Sequence, residues 1–229
     1  MTFQKNTPQS TLKTQPVPES NQEVPSGALF YNPKAPTEVH KNDLPHWQQD
    51  EALIFVTFRL NDAMPAGKLK QWSAEKEQWI ASHPEPWDEQ TIWDYHARFT
   101  EQLEKWLDAG EGSCALRRPA AREVVEKALL YFQGERYDLD HFVIMPNHAH
   151  VLFRPKNDQT IASILHSWKS YTAKIINKQM GKSGPFWQSD YWDRLIRSDT
   201  HQTRCRRYIL ENPEKAHLKR GEYTTWQKP

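Results

Sequence analysis

The stretch Phe142-Val-Ile-Met-Pro-Asn-His-Ala-His-Val-Leu-Phe153 decides the fold, because it predicts two strands joined by a tight turn. Its centre, Pro146-Asn147, is a dipeptide typical of turns, and apolar residues stand on both sides of it. We therefore expect residues 137–145 and 148–153 to pair as an antiparallel hairpin.

Two histidines stand two residues apart in the second predicted strand. Residues i and i+2 of a strand project from the same face, so His148 and His150 point together while Ala149 points away. Such a pair has the geometry of two metal ligands. On this pattern alone, a solvent-facing pair of histidines is the competing interpretation.

Hydrophobic periodicity predicts the remaining elements. They are strands over 52–60 and 186–197, and helices over 66–82, 89–108, 120–132, 161–180 and 200–211, the last stopping near Asn212-Pro213. With a helical insertion of about 66–115 set aside, the order is β-α-β-β-α-β followed by a helix. This order predicts an α+β fold, a ferredoxin-like antiparallel sheet with helices on one face. We expect the insertion to be an acidic helical hairpin whose tryptophans serve packing.

Composition sets the expected domain limits. Residues 1–40 are rich in Pro, Gln, Thr, Ser and Asn, which predicts a flexible N-terminal arm. One folded domain is expected over 41–220, followed by a C-terminal tail over 221–229.

The charge distribution points to a phosphate-rich partner. The net charge is only +1, but residues 1–115 carry 10 Lys and Arg against 17 Asp and Glu, whereas residues 116–229 carry 20 against 12. An unevenly charged, solvated surface would give the same counts. The two cysteines suit a reducing cytoplasm, and the chain shows neither a secretion signal nor an apolar run long enough for a membrane span.

The last predicted helix carries a second chemical feature. Residues four apart share a helical face, so Tyr208 and Asn212 would project together. Brought to the strand with the two histidines, they would supply a nucleophilic phenol and a third ligand. Taken by itself, this pattern favours a tyrosine packed on the core and an Asn212-Pro213 pair that only ends the helix.

Tyr171 is a rival nucleophile, because it also lies among basic residues on a predicted helix. It has Ile175 four residues later in place of an amide. It is expected on the packing stripe that also holds Ile164 and Trp168. These points favour Tyr208.

Three motifs together resemble the IS200-like transposases, and most closely the tyrosine transposases associated with repetitive extragenic palindromic elements. They are the segments Met145-Pro-Asn-His-Ala-His-Val151, Trp187-Gln-Ser-Asp-Tyr-Trp-Asp-Arg194 and Tyr208-Ile-Leu-Glu-Asn-Pro213. The resemblance spans about residues 45–220, with the motifs in the family's order. The long insertion and the N-terminal arm depart from the compact members.

The resemblance implies a metal-dependent enzyme that nicks and joins single-stranded DNA. His148, His150 and Asn212 would hold the metal, and Tyr208 would form a 5′-phosphotyrosine link while releasing a 3′-hydroxyl. The metal would be magnesium or manganese, and no cysteine-based structural zinc site is expected. A bacterial, nucleoid-associated enzyme acting on a hairpin of a REP-like palindrome, as monomer or homodimer, is the corresponding expectation. A non-catalytic regulator derived from a transposase is the alternative.

Basic and aromatic residues of the C-terminal half are the candidates for DNA contact. They are Lys169, Lys174, Lys178, Arg194, Arg197, Arg204, Arg207 and Trp187. The lysines would line a path for the backbone, and Trp187 could stack on an unpaired base or pack in the core.

Overall fold

The computed structural model describes residues 30–32, 34–41, 45–49, 51–84, 87, 89–95, 98–99, 101–156 and 159–229. The predicted N-terminal arm therefore lies largely outside the described residues. Its last part is folded: strand β1 (Glu38–Lys41) pairs with β2 (Pro45–Gln48), and the backbone N–H of Tyr31 donates to the Ile196 carbonyl at 2.8 Å.

The main sheet has five antiparallel strands: β3 (Ile54–Arg59), β4 (Tyr137–Ile144), β5 (His148–Pro155), β6 (Trp192–Leu195) and β7 (Thr224–Gln227). Their spatial order is β6-β3-β5-β4-β7. The first four strands have the ferredoxin-like order, with β3 and β5 at the centre, so the predicted α+β fold class is confirmed. The expected C-terminal tail instead forms β7 at one edge.

Six α-helices are described: α1 (Ala66–Ser82), α2 (Glu89–Tyr95), α3 (Glu101–Asp108), α4 (Pro119–Tyr131), α5 (Ile161–Met180) and α6 (Asp199–Lys215). The predicted helix over 89–108 is described as α2 and α3, and residues 96, 97 and 100 between them lie outside the described residues. None of these helices is long and apolar enough to cross a membrane.

The sheet carries helices on both faces, with α4 and α5 on one and α6 on the other. Side chains alternate along each strand, so Val56 and Phe58 join the core beneath α5, whereas Phe55 packs with Cys205 and Ile209 of α6. His148 and His150 lie on the α6 face, because Ala149 and its alternating neighbours belong to the core on the other face.

Local signals fix the ends of the long helices. The Thr160 side chain accepts from the Ser163 N–H to begin α5, and Gly181 ends it in the left-handed conformation at φ 63°. The Ser198 side chain begins α6 by accepting from the His201 N–H. The expected stop near Pro213 was wrong, because α6 continues to Lys215 with Pro213 inside it.

The predicted strand over 186–197 is shorter than expected. Only Trp192–Leu195 forms β6, and Trp187 makes a single bridge with Leu60. The carbonyl of Ser189 accepts a hydrogen bond from the Lys169 ammonium, so part of this segment is bonded to α5 rather than to a neighbouring strand.

The two ends of the insertion contact each other where it leaves and rejoins the domain. The Ser113 N–H donates to the Asp62 carboxylate at 3.0 Å. Gly112 has φ +85°, and a Cβ there would lie 2.1 Å from the Asp62 carbonyl oxygen. Within the insertion, Trp72 and Trp79 are buried against Phe99, so the expectation that these tryptophans pack is confirmed.

Candidate active site and metal centre

The two imidazoles of β5 meet in a fully buried position on the α6 face. The Nε2 atoms of His148 and His150 lie 3.0 Å apart. Burial lowers the pKa of His148 to about 3, and burial together with the charges of His148 and Arg194 lowers that of His150 well below its usual range. Both rings are therefore neutral at pH 7, the form that binds metals.

Asn147 sets the tautomer of His148. The Asn147 amide nitrogen donates to the backbone carbonyls of Leu107 (3.1 Å) and Glu111 (3.2 Å), so its oxygen must face the other way. That oxygen lies 2.8 Å from Nδ1 of His148 and can only accept. His148 therefore carries its proton on Nδ1, which leaves a lone pair on Nε2.

Thr57 is the corresponding partner of His150. Its hydroxyl lies 2.7 Å from Nδ1 of His150. A hydroxyl both donates and accepts, so Thr57 is compatible with either tautomer of His150. An outer partner that orients a ligating histidine is a regular feature of metal sites.

Tyr208 reaches the histidine pair from α6. Its hydroxyl lies 3.5 Å from Nε2 of His150, and its ring meets the edge of Phe55 at a centroid distance of 6.0 Å. Burial first, and then the charges of Glu104 and Asp108, raise the pKa of the phenol, so Tyr208 is a neutral phenol here. The ammonium of Lys215 lies 5.7 Å from the centre of the Tyr208 ring.

Asn212 lies one turn after Tyr208 on the same face of α6 and is fully buried. Neither its amide oxygen nor its amide nitrogen makes a hydrogen bond within the described part of the chain. A buried amide without partners is costly, so this side chain is suited to a ligand that satisfies it.

The insertion contributes two carboxyls that the sequence did not predict. Glu104 and Asp108 are four residues apart on α3, and they meet Tyr208 and Asn212, which are four apart on α6. Burial raises the pKa of Glu104 to about 7, opposed by Arg194 and by the hydrogen bond from Tyr208. Burial also raises the pKa of Asp108 to about 6. The spacing of four residues between the two carboxyls was the feature of the sequence that could have predicted a shared helical face.

Arg59 is a third residue that the sequence did not single out. It ends β3, is only 1% exposed, and pairs in register with His148. Nε and Nη1 of its guanidinium make no hydrogen bond to the described residues, and its Cζ lies 5.4 Å from the Trp192 ring centre. Burial lowers its pKa to about 10, opposed by Asp190, so it stays cationic at pH 7. The feature of the sequence that could have pointed to Arg59 is a charged residue at the end of an apolar strand.

The donor set fits a divalent ion. Two ligands at right angles around an ion, each about 2.1 Å away, lie about 3 Å apart, which matches the 3.0 Å between the two Nε2 atoms. The unsatisfied oxygen of Asn212 is a third donor. Within the described ranges, no group of three His, Cys, Asp or Glu side chains could hold a metal, so a site here depends on the amide.

Four of the predicted DNA-contacting residues are on β6, on α6 or between them. Arg194 lies above the Phe55 ring at 5.5 Å from its centre, on the face of the histidine pair. Arg197, Arg204 and Arg207 are exposed. The site and these arginines therefore belong to the same side of the sheet or to its edge.

The other predicted contacts lie on or against α5, across the sheet. Lys174 and Lys178 are exposed there, and Lys169 is partly buried, with its pKa lowered to about 8 chiefly by burial. Trp187 is buried and its indole N–H donates to the Thr172 hydroxyl at 2.8 Å. Its ring packs with Phe58 rather than facing solvent.

Tyr171 also lies on α5, on the sheet face opposite the histidine pair. It is 54% exposed, so the expectation that it belongs to a packing stripe was wrong. The buried residues of α5 include Trp168, Thr172 and Ile176, which place the stripe one position away from Tyr171.

Comparison with known proteins finds a family that matches part of this chain. Residues 116–212 match the family described as Transposase IS200 like, and this segment contains the histidine pair, Tyr208 and Asn212. The predicted resemblance to IS200-like transposases is thereby confirmed over that segment.

One similar solved structure is that of a REP-associated tyrosine transposase bound to a REP hairpin. The two chains share 15% sequence identity, over 76% of this chain and 74% of the other, with a TM-score of 0.41. No curated protein sequence matches this chain.

Proposed function

We propose that the protein is a metal-dependent endonuclease and strand transferase of single-stranded DNA, a transposase that acts on hairpin-containing DNA through a 5′-phosphotyrosine intermediate. One observation carries the proposal: the Nε2 atoms of His148 and His150 lie 3.0 Å apart, and the Tyr208 hydroxyl lies 3.5 Å from the latter. A phenol beside a metal-binding pair is what nucleophilic attack on a phosphodiester needs.

The metal would be magnesium or manganese, held by His148, His150 and Asn212. When bound, it withdraws charge from the scissile phosphate and favours in-line attack. The protein's own part is to hold both imidazoles neutral and oriented, through Asn147 and Thr57.

Glu104 is the proton acceptor for the nucleophile in this proposal. Tyr208 begins as a neutral phenol close enough to the Glu104 carboxyl for each to shift the pKa of the other, and burial raises the pKa of Glu104 to about 7. As the proton moves to Glu104, the bond between the Tyr208 oxygen and phosphorus forms and the bond from phosphorus to O3′ breaks. The leaving oxygen takes a proton from solvent and becomes a 3′-hydroxyl. The phosphotyrosine link keeps the phosphodiester energy, so rejoining needs no nucleotide cofactor.

The positive charges beside the site suit a phosphodiester. Arg59 offers two buried guanidinium nitrogens that bond to no described residue, and Arg194 lies on the same face. Guanidinium groups pair readily with phosphate oxygens. Arg204 and Arg207 are exposed on α6 and would extend this surface along the DNA backbone.

Single-stranded DNA is the proposed substrate because the reacting groups are buried. The histidine pair is fully buried and Tyr208 half-buried, so a phosphate held in a stacked duplex does not reach them. The resemblance to transposases of palindromic elements favours a short hairpin next to the cut.

A cleavage assay with three substrates of one sequence tests the proposal. With manganese present, we expect a single strand carrying a hairpin to be cut, and the same sequence as a perfect duplex to stay intact. A single strand with a scrambled hairpin stem is the control for hairpin recognition. Chelation should stop cleavage, and binding should weaken steeply with salt, by several phosphate contacts on a log–log plot.

The outcomes separate the competing functions. Equal cleavage of duplex and single strand, or full activity in chelator, would contradict the proposal. Salt-sensitive binding of the hairpin without cleavage under any metal would instead support a non-catalytic regulator.

A further inference from the structure

A β-bulge in β4 turns one carboxylate towards the helix that carries Tyr208. The pairing register of β4 with β5 shifts between Leu139 and His141, so Asp140 is an extra residue without a paired residue on β5. Such bulges re-aim a side chain and are frequent beside active sites. Asp140 is buried, and both of its carboxylate oxygens accept hydrogen bonds from α6.

Two residues of α6, one turn apart, bind this carboxylate. The Gln202 amide donates to Oδ2 at 2.9 Å, and the Arg206 guanidinium donates through Nε to Oδ1 at 2.8 Å and through Nη2 to Oδ2. A carboxylate bound by two guanidinium nitrogens is held directionally as well as strongly. Nδ1 of His141 also lies 2.6 Å from Oδ1. Burial alone would raise the pKa of Asp140, but the hydrogen bonds from Arg206 and His141 hold it below its usual range, so the carboxylate is charged at pH 7.

Arg206 and Tyr208 project from opposite edges of the buried face of α6. Successive residues of a helix lie about 100° apart, so these two side chains are separated by about 160° around the helix axis. Cys205 and Ile209 lie between them and pack against apolar side chains of the sheet. Because apolar contacts are not directional, they do not by themselves fix the rotation of the helix, whereas the hydrogen bonds to Asp140 do.

We propose that Asp140 is a positioning residue for the nucleophile Tyr208. Through its bonds to α6 it fixes the rotation of the helix about its axis, which holds the Tyr208 hydroxyl beside His150. The inference rests on the proposed function, and it assigns Asp140 no contact with DNA or metal. The hydroxyl lies 3.5 Å from Nε2 of His150, so a small turn of the helix would separate the two groups. Misplacing a reacting group by about 1 Å can slow a reaction about 100-fold.

Nitration of tyrosines in the full-length, DNA-free protein measures the exposure of Tyr208 without requiring activity. Tetranitromethane would be applied to the wild type, Asp140→Asn, Arg206→Met and Asp138→Asn, and each tyrosine would be quantified in tryptic peptides. Asp138 is the matched control, because it lies on β4 and binds Arg154 within the sheet at 2.9 Å. We expect Tyr208 to be nitrated several-fold faster in the first two variants and at the wild-type rate in Asp138→Asn.

Two other tyrosines serve as internal controls in every variant. Tyr171 is 54% exposed and Tyr137 is fully buried, so the first should react at one rate throughout and the second should stay protected. Faster nitration of Tyr137 together with Tyr208 would show a general loss of packing and would overturn the positioning role. A wild-type rate for Tyr208 in both variants would overturn it as well.

The rate of covalent joining connects the placement of α6 with the chemistry. At saturating hairpin-bearing single strand and manganese, we expect Asp140→Asn and Arg206→Met to form the Tyr208 adduct about 10- to 100-fold more slowly, with manganese affinity unchanged. The double variant should be little slower than the slower single one, since both substitutions break the same pair. Wild-type rates in the variants would contradict the inference. If the wild type itself forms no adduct, the proposed function fails, and nitration alone decides whether Asp140 places α6.

Discussion

Thr57 and Asn147 show how residues that touch no substrate in the proposed mechanism define the chemistry. Each bonds to the Nδ1 atom of one imidazole, which leaves the two Nε2 atoms facing each other at 3.0 Å. Asn147 permits one tautomer of its histidine, because its nitrogen is engaged by two backbone carbonyls. Thr57 permits two, because its hydroxyl can turn.

Replacing Thr57 therefore tests the orientation of His150. Thr57→Val keeps the shape but removes the hydroxyl, so Nδ1 of His150 loses the hydrogen bond that orients the ring. We expect manganese affinity to fall by about 10- to 100-fold, measured by titration calorimetry.

Thr172→Val is the matched control for that change. Thr172 is as deeply buried and its hydroxyl bonds to Trp168 and Trp187, but it lies on α5, across the sheet. It should lower stability and leave manganese affinity unchanged. Equal losses of affinity in the two variants would show a general effect of packing and would contradict the assigned role of Thr57.

At the scale of elements, α3 carries both leucines that stabilise the core and carboxyls whose burial is unfavourable. Leu103 and Leu107 bury it in the core, while Glu104 and Asp108 on the same helix are carried into a poorly solvated site. Burial raises both carboxyl pKa values, which means that folding disfavours their ionised forms. Carrying these two carboxyls into a poorly solvated position therefore lowers stability at pH values where the unfolded chain would ionise them.

The difference in stability between Glu104→Gln and the wild type should therefore depend on pH. The pKa of Glu104 rises from an ordinary 4.5 to about 7 on folding. Below pH 4.5 this carboxyl is protonated in both the folded and the unfolded state, so its contribution to stability is fully present. As pH rises to 7, the unfolded chain ionises the carboxyl more readily than the folded protein does, and that contribution to stability is lost. In chelator, Glu104→Gln should therefore gain stability over wild type between pH 5 and pH 8, by about 2 kcal/mol.

Urea unfolding at pH 5 and pH 8 measures this gain. Glu101→Gln, on the exposed side of the same helix, should show almost no pH-dependent difference from wild type. A stability difference for Glu104→Gln that stays constant from pH 5 to pH 8 would contradict the raised pKa of Glu104.

At the scale of the molecule, the predictable parts are those set by local periodicity. Strand alternation correctly placed His148 and His150 on one face, and helical spacing placed Tyr208 and Asn212 together on α6. The ferredoxin-like order followed from the sequence of elements. These relations need only a few neighbouring residues to specify them.

The unpredicted parts depend on contacts between distant segments. Asp108 meets Asn212 only because the insertion folds back onto the domain. Strand β7 has four residues, too few for a clear pattern, and is identified by its pairing with β4. The side of the sheet that receives α5, and with it Lys174, is likewise set by packing rather than by local sequence.

The central claim is that Tyr208 becomes joined to DNA. Trypsin cleaves after Arg207 and Lys215, so Tyr208 falls in the peptide 208–215, while Tyr171 falls in the peptide 170–174. Mass spectrometry of the protein after reaction with a hairpin-bearing single strand and manganese should find a 5′-phosphonucleotide on 208–215. The adduct should vanish in Tyr208→Phe and persist in Tyr171→Phe. An adduct on 170–174, or its survival in Tyr208→Phe, would contradict the account.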